Sequence, residues 1–515
     1  MPSPLFSSGA INRSLSGINS IDALLNGARW AVLSIPYSFP SSNSTAFWST
    51  YSNGYGPVSG DGEPWRSTFA PLTSSDQSNF VDALQQWANV INLRFVQVSE
   101  SPGNVGDIRA AYTIEADSLT LAWTYLPSNS PLGGDIWINT KSRLNEEEWN
   151  PGSLSFETIL HELGHALGLK HPFADPDDPA KATLPPDLDN TIHTIMSYTY
   201  ANLDGDEGNG FSFHPTTPMV LDIAAIQYLY SPNNGFHTGN DTYLFDDAHT
   251  YHQTIWDAGG ASDTIHYAGS LPSLIDLNAT RPSLIGQPVY VQANGVNRGS
   301  PIPNIWIADK VTIENATGGQ GDDILIGNSS RNNLDGGAGI DTIRIEAQRN
   351  QVTLNKTGNG YSVKVNASPG NEDTLVNIER AAFDDLRLAL DLDGNAGEVA
   401  KLIGAVFGAT FVNNTGYVGI GLDKADEGLS YEQLAKFAID ATRLTDHDKI
   451  VTLLWLNLFG ELPTGSEKSP YVKMLDEDDI STGGLTVLAA ESAANAENIN
   501  LTGLVQTGLT YIEVG

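Results

Sequence analysis

The most constraining feature of this 515-residue chain is the segment HELGHALGLKH at positions 161–171. Apolar residues around this segment recur at helical spacing, so we predict a helix from about Leu154 to Gly168. Side chains four residues apart lie on the same face of a helix. His161 and His165 should therefore point toward a common position.

A third histidine lies six residues beyond His165 and cannot reach that position from a continuous helix. Gly168 permits a sharp backbone turn, which would return His171 toward the other two imidazoles. Three neutral imidazoles with an open fourth position are typical of a catalytic zinc rather than a structural one. Glu162 is placed to reach a metal-bound water. The alternative is a helix with ordinary surface histidines, which the chain's total of ten histidines makes a poor explanation of the motif.

Composition narrows the classes of partner. The chain has 61 acidic and 26 basic residues, a formal net charge of −35, and no cysteine. Such a surface repels nucleic acids and anionic lipids, so neither is an expected partner. It suits calcium binding, although high solubility explains the same charge equally well. Without cysteine there are no disulfides and no thiolate ligands, so bound calcium is the expected restraint on loops.

The residue composition and the periodicity of apolar residues change twice along the chain. An amphipathic pattern predicts a helix from roughly Asp76 to Phe95, followed by strand-like pieces at 121–125 and 134–140. After about residue 235, Gly-Asp turns alternate with short β runs to about residue 385. Helical patterning returns at about Ala396. No apolar run reaches the length of a membrane span, and the first residues lack the pattern of an ordinary cleaved signal peptide.

Two glycine-rich nonapeptides lie inside the β region. They are GGQGDDILI at 318–326 and GGAGIDTIR at 336–344. Their offset of 18 residues is one coil of a parallel β-roll, so their turns should stack on one edge. The intervening segment 327–335 has Asn332 in place of the acid, so we expect weaker or no metal binding there. Unrelated Gly-Asp loops are the alternative.

The stacked turns offer a set of oxygen ligands that could enclose one Ca²⁺. The carbonyl donors would be those of Gly319, Gly321, Gly336 and Ala338, and the carboxylates those of Asp323 and Asp341.

The pattern HExxHxxGxxH, followed by TIMSY at 194–198, resembles the metzincin clan and within it the serralysin family of bacterial secreted proteases. The resemblance implies that His161, His165 and His171 bind zinc and that Glu162 is the general base. Met196 would form a hydrophobic floor below the metal. Tyr198 would be a reversible fifth ligand that swings away to hydrogen-bond the oxyanion, although a core aromatic residue remains the alternative.

Two further segments carry the same resemblance. LAWTY (121–125) is similar to the edge strand along which metzincins bind substrate, which implies backbone pairing of an extended peptide with Ala122, Trp123 and Thr124. An ordinary sheet strand is the alternative. LDIAAIQYLYSPN (221–233) is similar to the helix that ends the serralysin catalytic domain.

Three segments upstream of the repeats, NDTYLF, WDAGGASDTI and VTIENATGG, also resemble the serralysin β-domain. The family pattern has one residue between the second glycine and the second aspartate, whereas Ala261 and Ser262 intervene here, which puts Asp263 in doubt. The resemblance implies further calcium contacts from His237, Gly239, Asp241, Asp257, Gly259, Gly260, Asp263, Thr312 and Glu314.

The resemblance and the patterning together predict a multidomain chain. We expect an α+β metzincin catalytic domain over 21–235, an all-β parallel β-roll or sandwich domain over 236–388, and an all-α C-terminal domain over 389–515. Residues 1–20 are expected to be a propeptide or a flexible segment. The DLDGN segment at 391–395 is similar to a calcium loop but lacks the glycine and glutamate of an EF-hand.

These features predict a secreted, extracellular bacterial endopeptidase with one catalytic Zn²⁺ and several structural Ca²⁺ ions. Its expected partners are protein or peptide substrates, a type I secretion machinery suggested by the terminal YIEVG, and a proteinaceous inhibitor. We expect a monomer without a membrane span. The alternative is an RTX-type adhesin or surface-layer protein with an inactive metzincin domain.

Overall fold

A computed structural model describes residues 9–41, 68–101, 104–114, 119–130, 132–142, 148–174, 181–201, 207–366 and 371–513. The chain divides into two compact units. The first comprises residues 1–264 and 277–313, and the second comprises residues 265–276 and 314–515. No helix in the described parts of the chain combines the length and apolar character needed to cross a membrane.

The described residues of the first unit form four α-helices and most of the short strands. Its helices are α1 (Asn19–Asp22), α2 (Ser74–Val90), α3 (Leu154–Leu167) and α4 (Val220–Tyr230). Its first strands are β1 (Ala10–Asn12), β2 (Ala28–Trp30), β3 (Ser34–Ser38), β4 (Arg94–Gln97), β5 (Ile108–Thr113), β6 (Ala122–Thr124) and β7 (Asp135–Asn139). Further along are β8 (Tyr200–Ala201), β9 (Glu207–Gly208), β10 (Gly210–Phe211), β11 (Thr242–Phe245), β12 (Gln253–Ile255), β15 (Pro282–Ser283), β16 (Val289–Ala293), β17 (Val296–Ile302) and β18 (Ile305–Ile307).

A five-stranded sheet forms the framework of this unit. Its strand order is β4-β3-β5-β7-β6, and only β6 runs antiparallel to its neighbour. Strand β6 is therefore an edge strand, with one row of backbone groups not used by the sheet. Smaller sheets follow in the orders β10-β16-β17 and β12-β18-β15.

Helices α2 and α3 pack together in the core. The indole of Trp87, which is fully buried, donates a 3.2 Å hydrogen bond to the carbonyl of Leu160. The prediction of α2 was wrong at its C-terminal end, because the helix stops at Val90 and Phe95 lies in β4. Ile91 already has extended backbone angles. The β-branched and aromatic residues that follow favour a strand, and the sheet uses them as one.

The second unit contains the remaining strands and all the later helices. Its strands are β13 (Thr264–Tyr267, all but Thr264 in this unit), β14 (Leu274–Asp276), β19 (Asn315–Thr317), β20 (Ile324–Ile326), β21 (Asn333–Asp335) and β22 (Thr342–Arg344). They are followed by β23 (Val352–Thr357), β24 (Gly360–Val365), β25 (Asp373–Val376), β26 (Arg380–Ala382), β27 (Arg387–Ala389) and β28 (Leu509–Tyr511). Its helices are α5 (Asn395–Phe407), α6 (Thr415–Asp426), α7 (Tyr431–Ala441), α8 (His447–Phe459), α9 (Gly465–Asp476), α10 (Thr482–Ala490), α11 (Ala493–Asn498) and α12 (Leu501–Thr507).

The repeats form the predicted parallel coil. Strand β19 pairs in parallel with β21, and β20 pairs in parallel with β22. Asn315 lies opposite Asn333, and Ile324 lies opposite Thr342, so one coil takes 18 residues as predicted. The central residue of each strand points inward, and Leu325 and Ile343 are buried. The next coil is longer because the antiparallel hairpin of β23 and β24 is inserted in it.

The helical region lies in the same compact unit as the roll. Strand β28 pairs antiparallel with β27, which in turn pairs with β26 at the end of the roll. The buried guanidinium of Arg380 binds Asp391 at 2.5 Å and both carboxylate oxygens of Asp426 at 2.7 Å. Asp391 is the first acid of the DLDGN segment, so this carboxylate serves an ion pair. The compact units therefore differ from the predicted domain boundaries, and the roll and helices share one unit.

The N-terminal segment also differs from the expectation of a flexible leader. Ala10–Asn12 pairs with Ala28–Trp30, and Arg13 lies over the ring of Tyr228. Residues 1–8 lie outside the described residues, as do 514 and 515 at the end of the predicted export signal. Removal of residues 1–20 stays a prediction.

Candidate metal centre and active site

Helix α3 begins and ends as its sequence predicts. The side chain of Ser153 accepts a hydrogen bond from the Phe156 amide at the N-terminus. Gly168 ends the helix with φ of 111°, and its amide donates to the carbonyls of Gly164 and His165. A Cβ at Gly168 would lie 2.3 Å from the Ala28 carbonyl oxygen. Both the left-handed backbone and this close approach require glycine, and they turn the chain back.

The turn brings the three predicted histidines together. Nε2 of His171 lies 3.2 Å from Nε2 of His161 and 3.0 Å from Nε2 of His165. Zinc–nitrogen bonds of about 2.0–2.1 Å in a tetrahedral site place the nitrogens about 3.3 Å apart, so the spacing fits one zinc ion.

The ring orientations support the same fit. Nδ1 of His161 lies 2.7 Å from the Ile195 carbonyl, and Nδ1 of His165 lies 2.9 Å from the Leu169 carbonyl. A carbonyl only accepts, so each Nδ1 carries the proton and each Nε2 presents a lone pair. Lone pairs converging at this distance repel one another unless a cation lies between them.

Burial keeps these imidazoles neutral. It lowers the pKa of His161 well below the usual range, with a further contribution from the neighbouring imidazoles. It lowers the pKa of His165 to about 4. Neutral imidazole is the form that binds a metal, so His161 and His165 need not lose a proton near neutral pH.

Glu162 lies beside the histidines and is buried. Its Oε2 accepts a 2.7 Å hydrogen bond from the hydroxyl of Thr124 on β6. Burial raises the pKa of Glu162 to about 7, and the Thr124 hydrogen bond opposes that shift. A carboxylate with a pKa near the working pH can both accept and return a proton.

Met196 and Tyr198 lie close to the metal centre and differ in exposure. Met196 is fully buried below α3, where a Cβ at Gly164 would lie 2.7 Å from its sulfur. Tyr198 is 63% exposed, and its ring centroid lies 4.5 Å from that of His171 and 5.6 Å from that of His161. This exposure rules out the alternative that Tyr198 is a core aromatic residue.

Asp222 supports the turn that contains Met196, and sequence reasoning missed it. Its buried carboxylate accepts hydrogen bonds from the Thr194 hydroxyl at 2.5 Å and from the amides of Ile195 and Met219 at 2.9 Å each. Burial raises the pKa of Asp222 to about 7, whereas the three donors favour the ionised form. The signal in the sequence was an acid at the third position of α4, where it caps the helix start.

The candidate substrate residues line an open cleft. Ala122, Trp123 and Thr124 are half-buried on the edge strand β6. A cavity of about 390 Å³ lies on the His161 side of Glu162, and one of about 420 Å³ lies on the side of His165 and His171. Ala122, Glu162 and Tyr198 line both cavities. The carboxylate of Glu162 therefore lies between the two cavities.

The upstream calcium candidates of the first unit also converge. His237, Asp241 and Asp257 place ligand atoms within 4.8 Å of one another. One oxygen of Asp241 lies 3.0 Å from the His237 ring, and its Oδ2 is buried without a hydrogen bond from the described residues. Burial of a carboxylate oxygen without a hydrogen-bond donor is costly, and a bound cation would offset that cost.

The glycines and the doubted aspartate lie around the same turn. Asp263 is fully buried and accepts a hydrogen bond from the Asp241 amide at 2.7 Å, so the one additional residue before Asp263 does not remove it from this turn. A Cβ at Gly260 would lie 2.1 Å from the Gly239 carbonyl oxygen. The Gly259 amide donates to Asp257 at 2.7 Å. Their role as calcium ligands stays a prediction.

The turns of the roll in the second unit are stacked as well. The Ala338 amide donates to the Gly319 carbonyl at 2.9 Å, and the Asp323 amide donates to Oδ1 of Asp341 at 2.8 Å. Oδ2 of Asp341 is buried without a hydrogen bond from the described residues. A Cβ at Gly336 would lie 2.5 Å from that oxygen. Both oxygens of Asp323 accept amide hydrogen bonds, from Ser273 and Gly319, so calcium between these turns stays a prediction.

The intervening repeat has a different chemistry. Asn332 is buried, and its amide nitrogen donates to the Glu314 carbonyl at 3.0 Å and to Oδ1 of Asn328 at 2.9 Å. In a metal-binding turn these two oxygens would face a cation. Here the side-chain amide of Asn332 donates hydrogen bonds to both of them, so this turn needs no metal. The described contacts do not place Thr312, which is exposed, or Glu314 in a metal cluster, and both stay predictions.

Comparison with known proteins identifies related segments. Residues 68–177 match the family described as Matrixin (Peptidase_M10), and residues 234–358 match Peptidase M10 serralysin C terminal. Serralysin of Photorhabdus laumondii is 32% identical over 297 residues, which is 53% of this chain and 58% of that protein. Metalloprotease AprA of Pseudomonas entomophila is 31% identical over 340 residues, covering 60% of this chain and 63% of that protein.

Serralysin C of Dickeya chrysanthemi is 37% identical over 266 residues, which is 47% of this chain and 51% of that protein. The chain thus spans between about half and two thirds of the length of these relatives. The similarity covers the metal centre and the β region.

Proposed function

We propose that this chain, which is serralysin-like over the matched residues, is a zinc-dependent endopeptidase. The observation that carries the proposal is the convergence of three imidazole Nε2 atoms next to a buried carboxylate. His161, His165 and His171 would hold the zinc. The alternative of an inactive adhesin or surface-layer protein needs a damaged centre, and the presence of His161, His165, His171 and Glu162 argues against it.

When bound, zinc supplies a Lewis acid that acidifies a water and polarises the peptide carbonyl. Glu162 accepts a proton from the attacking water at its carboxylate and later returns that proton to the leaving amine. Thr124 holds the carboxylate in position through its hydroxyl. The exposed phenol of Tyr198 donates a hydrogen bond to the developing oxyanion.

The substrate would be an extended peptide chain. Strand β6 is at the edge of its sheet and borders both cavities, so its free backbone groups at Ala122 to Thr124 can pair with such a chain. Backbone pairing is insensitive to sequence, which suits an enzyme that accepts many proteins.

Structural calcium would bind at the His237 turn and between the roll turns, because these turns bring together buried carboxylate oxygens. The proposal also places the protein outside a bacterial cell, exported by a type I machinery and active as a monomer, with a proteinaceous inhibitor as a further partner. Chelation of calcium should lower the melting temperature of the roll.

The proposal is tested by measuring bound zinc and casein hydrolysis in the wild type and in Glu162→Ala. Glu162 acts on water rather than on the metal, so the variant should keep one zinc per chain and lose hydrolysis. Asp82→Asn, a substitution of an exposed acid on α2, is the control and should keep both. A Glu162→Ala variant that hydrolyses casein at the wild-type rate would remove the base assignment.

A further inference from the structure

The cavity on the His161 side of the cleft combines apolar walls with two buried acids, Glu162 and Glu157. Its lining includes Leu121, Leu154, Ile195 and Tyr200, which form an aliphatic and aromatic wall. Glu157 also lines it, one helical turn before His161 on α3. Residues four apart share a helix face, so this acid faces the cleft with the zinc ligand.

Two neighbouring side chains hold the carboxylate of Glu157. Its Oε2 accepts hydrogen bonds from Nδ1 of His214 at 2.5 Å and from the Tyr200 hydroxyl at 3.0 Å. The Phe211 amide donates to Nε2 of His214 at 3.4 Å. Both contacts to Glu157, from His214 and from Tyr200, engage Oε2 and orient the carboxylate.

The second oxygen of the carboxylate is available to a ligand. Oε1 of Glu157 accepts no hydrogen bond from the residues that the structure describes, and no lysine or arginine is among the described residues that line this cavity. The carboxylate is only 4% exposed and His214 pairs with Oε2 alone, so a cationic ligand in this cavity can pair with Oε1.

We propose that this cavity selects substrates with lysine or arginine next to the scissile bond. Both side chains combine an aliphatic stem, which matches the apolar wall, with a cationic end that can bind Oε1. This inference rests on the proposed endopeptidase activity and names its substrate preference. Glu157 is then a specificity-determining residue.

The opposite cavity is lined by positively charged side chains, so the two ends of the cleft differ in charge. It is lined by Lys181 and Lys170, and Lys170 already donates to the carbonyls of Ala23, His171 and Ala182. A cationic substrate side chain is repelled on this side and attracted on the Glu157 side. The preference should therefore fall on only one of the two positions that flank the cleaved bond.

The first test uses the wild-type zinc-loaded enzyme and a peptide mixture in which lysine, norleucine or glutamate occupies each flanking position. Norleucine has an apolar side chain similar in length to the lysine stem. We expect cleavage with lysine to exceed that with norleucine by at least about tenfold at one position, as expected for a hydrogen bond to a charged group. Equal or better cleavage of norleucine at both positions would overturn the inference.

The second test compares Glu157→Gln with Asp82→Asn, which removes an exposed charge from α2. The glutamine variant keeps the shape and an acceptor for His214 and Tyr200 but lacks the charge. Its ratio of kcat/KM for lysine over norleucine should fall about tenfold, whereas the control should keep the wild-type ratio. An unchanged ratio in a folded Glu157→Gln would overturn the inference, and if that variant fails to fold the wild-type preference decides. Absence of any peptide cleavage by the wild type would instead remove the proposed function, and this inference with it.

Discussion

The hydroxyl of Thr124 donates a 2.7 Å hydrogen bond to the carboxylate of Glu162. This contact joins the edge strand of the catalytic sheet to the helix that carries the histidines. The strand that we propose to bind the substrate therefore also orients the proposed base. The side chain of Thr124 thus couples the position of the proposed substrate strand to the orientation of the Glu162 carboxylate.

Thr124→Val should test that coupling, because valine keeps the shape and the strand preference of threonine but cannot donate a hydrogen bond. We expect kcat for a peptide substrate to fall roughly tenfold to a hundredfold, as for loss of a hydrogen bond to a charged group of about 1.5–3 kcal/mol. Zinc content and KM should change little. Thr124→Ser keeps the hydroxyl and should retain most of the activity, so equal kcat values in both variants would contradict the role.

Asp222→Ala should weaken both the fold and the metal site. The substitution leaves three buried donors unpaired, at a cost of about 1–3 kcal/mol each. We expect the unfolding free energy of the catalytic unit to fall by at least about 3 kcal/mol in urea denaturation. Zinc affinity should also fall, because the neighbouring Ile195 carbonyl orients His161. Asp222→Asn retains one acceptor oxygen and should be affected less, whereas a fully stable alanine variant would refute this support.

Gly164→Ala should destabilise the protein although alanine is the better helix former by about 1 kcal/mol. The added Cβ would lie 2.7 Å from the sulfur of Met196 and 3.3 Å from the ring of Trp87. Overpacking of this kind costs about 1–3 kcal/mol, so we expect a net loss in urea denaturation. In a Met196→Ala background the same substitution should be neutral or stabilising. A gain in stability in the wild-type background would show that the floor is not tightly packed.

Asn332→Asp should make the intervening turn depend on calcium. The new carboxylate would face the Glu314 carbonyl and the Asn328 side chain without donating to either. We expect calorimetry to show a lower melting temperature than the wild type in a calcium chelator, and recovery on adding calcium. A deficit of the same size in both buffers would mean that the turn cannot accept a cation.

Local patterns predicted the parts of the site that lie close together in the chain. Helix α3, its end at Gly168 and the convergence of His161, His165 and His171 follow from spacing within eleven residues. The 18-residue coil followed from a repeat that can be read directly. Each of these depends on contacts that the local backbone geometry dictates.

Other features depend on contacts between distant segments, and no periodic pattern in the sequence predicts these contacts. Glu157 is hydrogen-bonded to His214, which lies 57 residues later in the chain. Asp222 accepts hydrogen bonds from residues of the Met196 turn that lie 27 and 28 residues before it. The three-residue strand Leu509–Tyr511 is too short to be recognised, yet it joins the helical region to the roll. A single buried Arg380 does the same through two ion pairs.

The central claim is that one ion is held by three imidazoles with a position left open for water. Zinc X-ray absorption spectroscopy on the purified protein, together with zinc quantification, measures this coordination directly. We expect one zinc per chain with three imidazole nitrogens at about 2.0–2.1 Å and one exchangeable oxygen ligand. Absence of bound zinc, or an ion enclosed by four protein ligands with no exchangeable one, would contradict the account.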